Sequence, residues 1–286
     1  MNPKVYNDDG LKIEVTGFCP VDVLEIWKSE KLNSFRYLKG DYFVKISMNN
    51  KTVYITDFAG SNSAGKLPRN STIAIKDNQI IRCSQNWPTK GRFYTTTLGF
   101  KRKDNFDDFF EAIDNAVALR CIDNPTITMS CGHDSGVIVA SALKQKLQFE
   151  SLAVRSIEHP EVLETRNKLT NGKILEGFKE GSGHNFIVNH ITNNVILTGL
   201  GADELYVTGD DELLNIFLSD ANKVYGRKNI QQRFPLSDYS VWKEYCSLHK
   251  GLIKKQSSRS KKIPFEMYMR YVGFPVHTGN KVSFGI

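Results

Sequence analysis

No stretch of the 286 residues approaches the roughly 20 consecutive apolar positions a membrane-spanning helix needs, and mean hydropathy is −0.35. The opening MNPKVYNDDG has no apolar run behind its lysine, so the pattern of a secretory signal is missing. The five cysteines (Cys19, Cys83, Cys121, Cys131 and Cys246) show no CxxC spacing, and an odd count argues against a disulfide framework. These absences predict free thiols in a reducing cytoplasm. The histidines at 159, 184, 190, 249 and 277 have no ligand spacing, and no internal repeat is visible. What is present suffices for a packed core: 40% hydrophobic and 24% charged residues exclude a disordered chain. Lys and Arg exceed Asp and Glu by 7, and the pI is near 9.0. That balance suits a nucleic-acid partner or an enzyme binding nucleotide phosphates, and does not choose between them.

The length predicts two domains. Residues 1–103 read as β-rich: LKIEV, DYFVKISM (41–48), TVYITDF and STIAIKD carry many β-branched and aromatic residues, with turn-type punctuation between several of them. Near residue 103 the pattern changes. From Phe106 the apolar residues fall at 106, 109, 110, 113, 116 and 117, which is helix spacing, with Asp104 or Asn105 placed to cap it. Residues 104–286 then alternate strand and helix: TITM (126–129), the helix VIVASALKQKL, SLAVRSI (151–157), a helical stretch over roughly 161–179, and VILTG (195–199). HNFIVNHI (184–191) reads equally as strand or helix. This rhythm predicts an α/β domain with a doubly wound, largely parallel sheet.

Two segments invite a phosphate reading and are set aside. Gly60 to Lys66 has P-loop glycine and lysine spacing, but Leu67 follows where a magnesium-binding hydroxyl is needed, and Pro68 is poorly placed for a helix start. It reads as a loop. KKQSSRSKK (254–262) is basic and serine-rich, either a solvated loop or one facing phosphate.

Ser130-Cys131-Gly132-His133-Asp134-Ser135 lies between an apolar strand and an apolar helix. Small and polar residues there let backbone amides and the helix N-terminus face an anion. Asp134 would repel bare phosphate, so its role in such a site is to hold a bridging magnesium. Alone, the segment serves equally as a turn with Asp134 or Ser135 as N-cap. A second strand end breaks the tie: VILTG runs into Leu200-Gly201-Ala202-Asp203-Glu204, again a glycine turn with acidic residues opening the next element. Ligands of open α/β sheets sit at the carboxyl ends of strands, where two such aspartates can share one metal.

The combination resembles the asparagine synthetase family of ATP pyrophosphatases. SCGHDS is similar to the family's SGGxDS loop and GLGADE to its glycine-flanked (A/S)DE turn. RFPLSD (233–238) looks like its RxPxLD stretch, and the tail from Asn280 to Gly285 like its RxKxGF segment, in the same order. The resemblance implies that Met129, Ser130, Gly132, His133, Asp134 and Ser135 line the nucleotide phosphates. It implies that Asp134 and Asp203 hold Mg2+, that Thr198, Gly199 and Val154 bracket the adenosine, and that Lys281 steadies charge on the α-phosphate. His133 is also a candidate proton carrier near neutral pH. The implied reaction turns a carboxylate, most simply aspartate, into an acyl-adenylate with loss of pyrophosphate. Ammonia then gives the amide and AMP. Related readings are a ligase for another carboxylate, including an intramolecular cyclisation, and a nucleotide-binding pseudoenzyme. A small carboxylate, ATP and ammonia are the expected partners. A homodimer is compatible, and neither a membrane nor nucleic acid is expected.

The first half resembles the family's Ntn-type amidotransferase domain in fragments, Lys39 to Phe43 and Ile55 to Gly60. Asn2 stands where a glutaminase of that kind has its nucleophilic cysteine, which implies a reduced scaffold without glutaminase activity. Three departures stand out: a short interval between Ser130 and Gly199, Leu200 where the family has a glutamate or tyrosine, and Cys131 in place of the first loop glycine. Leu200 cannot move a proton, and neither can Gln231, near the site of a second acidic residue in lactam-forming relatives.

Overall fold

The computed structural model describes residues 3–20, 22–30, 39–48, 51–57, 71–76, 79–85, 100–155, 159–177, 183–208, 211–253 and 263–277. The chain divides into two compact units. Met1–Gly91 and Glu212–Arg233 form the first; Arg92–Asp211 and Phe234–Ile286 form the second. The single change of pattern near residue 103 does not separate residues 212–233 from the α/β half; the structure does.

The first unit is built on an antiparallel meander of six strands in sequence order: β1 (Lys4–Asp8), β2 (Leu11–Phe18), β3 (Asp41–Met48), β4 (Lys51–Thr56), β5 (Ser71–Lys76) and β6 (Gln79–Gln85). Alternation puts Ile13 and Val15, Tyr42, Val44 and Ile46, and Val53 and Ile55 into one buried cluster. Val23 of α1 (Val23–Glu30) joins that cluster, and the Asp22 carboxylate caps the helix by accepting from the Leu24 and Glu25 amides at 2.8 and 3.2 Å. The β1–β2 turn is Asp9-Gly10 with φ of 33° and 78°, the left-handed pair that a two-residue hairpin demands. That dipeptide was the available signal for β1.

In the second unit α2 (Asp107–Arg120) begins where the periodicity puts it, but its N-cap is Phe106, which makes no side-chain cap bond, and not Asp104 or Asn105; the Asn105 side chain accepts from the Asp107 amide at 3.2 Å from one residue before the cap. Then follow β7 (Thr126–Met129), α3 (His133–Lys144), β8 (Glu150–Val154), α4 (Pro160–Thr170), β9 (Lys173–Leu175), α5 (Gly183–Ile187) and β10 (Val195–Leu197). Residues 212–233, which carry most of α6 (Asp211–Gly226) and β11 (Gln231–Arg233), belong to the first unit. The second unit resumes with α7 (Tyr239–Ser247), α8 (Lys250–Ile253) and α9 (Ile263–Tyr271). The strands β10-β7-β8-β9 are neighbours in that order, and every pairing among them is parallel. The class is mixed α/β, an antiparallel sheet and a parallel one with helices. Val137, Ile138, Val139, Ala140 and Ala142 of α3 are all buried, so this helix is enclosed rather than half-solvated. Among the described residues, no helix is long and apolar enough to cross a membrane.

Two expectations change. The helix expected over 161–179 stops at Thr170, because Asn171 takes a left-handed conformation (φ 48°) and terminates it. A Cβ on the following Gly172 would sit 2.1 Å from the Ser151 Oγ, so glycine lets the chain lie against β8 and enter β9. The ambiguous 184–191 segment opens as helix, in α5.

His184 of α5 is buried, and loss of hydration pulls its imidazole from 6.5 down to about 4. Its folded form therefore resists a proton that the unfolded chain accepts. Stability from this group is complete above about pH 6.5 and is lost as pH falls toward 4, by roughly 3 kcal/mol. Thermal melts from pH 8 to 4 should show that decline, and His184→Gln should flatten it.

Candidate functional site

From β7 the chain steps to β8 and then β9 on one side, and later returns to lay β10 against the other side of β7. The direction of winding reverses at β7. At such a point the loops leaving two adjacent strand ends part to opposite sides, which opens a crevice at the carboxyl edge. The two loops that leave β7 and β10 are residues 130–135 and 198–204, the two glycine turns singled out in the sequence.

The first loop holds itself together. The Ser130 hydroxyl lies 2.8 Å from that of Ser135, the Ser130 amide donates to Ser135 Oγ at 3.0 Å, and the Gly132 amide donates to Ser130 Oγ at 3.1 Å. Gly132 is the N-cap residue of α3, with extended backbone and no side-chain cap, and its carbonyl accepts the first helical bond from Gly136. Asp134 and Ser135 therefore lie inside the first turn rather than at the cap. His133 opens the helix, and His133 and Asp134 are both half-buried. Cys131 is buried and donates from Sγ to the His159 carbonyl at 3.2 Å.

The second loop packs directly on the first. A Cβ added to Gly199 would stand 2.7 Å from Asp134 Cβ and 2.8 Å from the Asp134 carbonyl carbon. Only glycine permits that approach, and it brings the GLGADE turn against the aspartate of SCGHDS. Thr198 is buried, with its hydroxyl accepting from the Leu200 amide at 3.2 Å, and Gly201 takes φ 85°. Asp203 is half-buried at the start of the next turn. That turn, Glu204–Thr208, is π-helical, a form concentrated at functional sites. Tyr206 within it is buried among Tyr245 and Phe265, with ring centroids at 4.8 and 5.2 Å. Loss of hydration raises its phenol well above the ordinary value, and Asp134 contributes in the same direction.

The structure thus brings Ser130, Gly132, Asp134, Ser135 and Gly199 together, with Met129 and Thr198 buried at the strand ends beneath them. Val154 is buried at the end of the neighbouring β8. Lys281, the basic 254–262 segment beyond Ile253, and the Gly60–Lys66 loop lie outside the described residues. Gln231 is engaged within the first unit: its amide donates to the Gly17 carbonyl at 3.1 Å, and its oxygen accepts from Arg233 Nε at 3.0 Å. Among the described residues, no cluster of three or more His, Cys, Asp or Glu side chains could hold a metal. The resemblance assigns the carboxylates of Asp134 and Asp203 to magnesium, and oxygen donors of that kind suit a hard cation that takes one or two carboxylates and completes its shell with phosphate and water.

Arg166 escaped the sequence reading. It lies in the polar helix α4 yet is fully buried, and donates to the Ser130 and Gly132 carbonyls of the first loop. Its only sequence signal is a place three residues after Leu163, on the inward face. No family model matches the chain, and no curated protein matches it.

Proposed function

We propose that this protein is an ATP-dependent carbon–nitrogen ligase of asparagine synthetase type. Residues 104–286 would supply a PP-loop synthetase domain, and residues 1–103 a reduced, Ntn-like scaffold. The observation that carries this reading is the Gly199–Asp134 contact: two glycine turns with acidic residues, from neighbouring parallel strands, meet at the point where the winding reverses.

In this reading the amides of the 130–135 loop and the N-terminus of α3 take the β- and γ-phosphates. Asp134 and Asp203 would hold Mg2+, which supplies charge neutralisation to the departing pyrophosphate. Thr198, Gly199 and Val154 line the adenosine side. The substrate carboxylate attacks the α-phosphorus, pyrophosphate leaves, and ammonia displaces AMP from the acyl carbon. Lys281 is assigned the α-phosphate by resemblance alone. Leu200 offers no proton carrier, and His133, next to Asp134 in the first turn of α3, is the candidate for that role.

Wild-type protein with Mg·ATP, ammonium and a panel of small carboxylates, aspartate first, should release pyrophosphate and AMP. Release with aspartate and formation of asparagine supports the reading. A phosphate-only product, or no turnover with any acid despite tight Mg·ATP binding, refutes the ligase.

A further inference from the structure

We propose that Arg166 is the positioning residue that locks the 130–135 loop and the 274–277 segment into one geometry. The proposal rests on the nucleotide reading above for its functional consequence. Its structural content stands independently.

The guanidinium is fully buried, and its donors divide between two stretches of backbone. Nη1 donates to the carbonyls of Ser130 and Gly132, the latter at 2.9 Å. Nε and Nη2 both donate to the Pro275 carbonyl, at 3.0 and 2.8 Å, and Nη2 also reaches Met269 Sδ at 3.7 Å. The Phe274 ring covers the cation, with its centroid 5.0 Å from Cζ. Two bonds converging on the Pro275 carbonyl, 109 residues further along the chain, and two more to the carbonyls of the 130–132 loop on the other side suit a planar fork. An ammonium could hold one side.

The consequence follows from peptide geometry. In a planar trans peptide the N–H points opposite to the C=O. Turning the Ser130 and Gly132 carbonyls onto Arg166 therefore aims the Cys131 and His133 amides away from it. The same holds for the Val276 amide beyond Pro275. Arg166 thereby sets the direction of two loop amides before any anion arrives, which is how a site becomes preorganised. Gly136 supplies the room. A Cβ there would lie 2.9 and 3.0 Å from the two Nη atoms and 2.6 Å from Met269 Sδ, so glycine on this turn of α3 is what lets the guanidinium sit under the loop.

Two variants separate positioning from bulk stability. Arg166→Lys keeps the charge and removes the fork. Gly136→Ala keeps the arginine, favours the helix, and displaces the guanidinium. Amide exchange would be followed by mass spectrometry in peptides covering 130–136 and 274–277, with β10 as control, and Mg·ATP affinity by calorimetry. Both variants should speed exchange in both segments together, by about tenfold or more, and leave β10 protected. Mg·ATP binding should weaken by about 10²-fold, the scale of a small misplacement of site groups. Wild-type exchange in either segment of a folded Arg166→Lys protein overturns the proposal. If that variant does not fold, the same criterion applied to Gly136→Ala decides. Coupled loosening in the variants, together with a wild type that binds no Mg·ATP, would uphold the lock and defeat the nucleotide reading instead.

Discussion

Asp134→Asn and Asp203→Asn should each abolish pyrophosphate release while leaving the thermal midpoint within a few degrees of wild type. Both residues are half-buried in the turns that follow β7 and β10 rather than in the core, so an isosteric change there removes little packing. Asparagine is isosteric with aspartate but supplies a neutral oxygen. A hard divalent cation that relies on two protein carboxylates and the nucleotide loses half its anionic protein ligands in either variant. The loss in turnover should reach 10³-fold or so, the scale seen when one group stabilising a developing charge is removed. On the proposal that the two aspartates serve one ion, the double variant should be little worse than either single one. Pyrophosphate release measured by a coupled assay tests this. Normal turnover in either single variant removes the shared metal site from the mechanism.

The largest stability effect should come from a group the chemistry does not use. Arg120 near the end of α2 is wholly buried, and its Nη1 meets Asp238 Oδ2 at 2.8 Å. The other oxygen, Oδ1, caps α7 by accepting from the Ser240 amide at 2.9 Å and the Ser240 hydroxyl at 2.6 Å. Burial alone would push the Asp238 carboxyl up, but attraction to Arg120 and the Ser240 bonds outweigh it and hold the group below the ordinary carboxylate value. A depressed value means that the unfolded chain takes the proton first. The pair's contribution is complete at neutral pH and is lost as pH falls through the carboxylate range. Arg120→Met should cost about 3–5 kcal/mol at pH 7, because it strands a buried anion. The deficit should shrink in acid, where Asp238 is protonated. Adding Asp238→Asn to Arg120→Met should recover much of it, since the charge is gone and a cap remains. Urea unfolding at pH 7 and 4.5 tests all three statements, and a double variant no more stable than Arg120→Met would contradict them.

Much of the candidate site was legible because it is written locally. SCGHDS and GLGADE each join an apolar strand to a helical start, and both turns appear at the strand ends where the pattern puts them. The strands β2 to β5 and the helices α2 and α3 were equally readable, since period 2 and period 3.6 are properties of consecutive residues. The misses have different causes. The apolar spacing continues past Thr170 while Asn171 and Gly172 end the helix there, and a three-residue strand such as β9 carries too few positions to show alternation. The Asp9-Gly10 turn is the local signal for β1.

By itself the sequence determined the α/β rhythm of the second half, the β-rich first half and the two acidic glycine turns, because each depends on dihedral preference and side-chain spacing along one short segment. Only the tertiary structure decided that β10 lies beside β7, that Gly199 touches Asp134, that residues 212–233 join the first unit, and that Arg166 is buried. Strand order is chosen among partners far apart in the chain by which apolar faces can be covered together. A buried guanidinium is chosen by carbonyls that converge only after those strands have paired, and no local pattern encodes either.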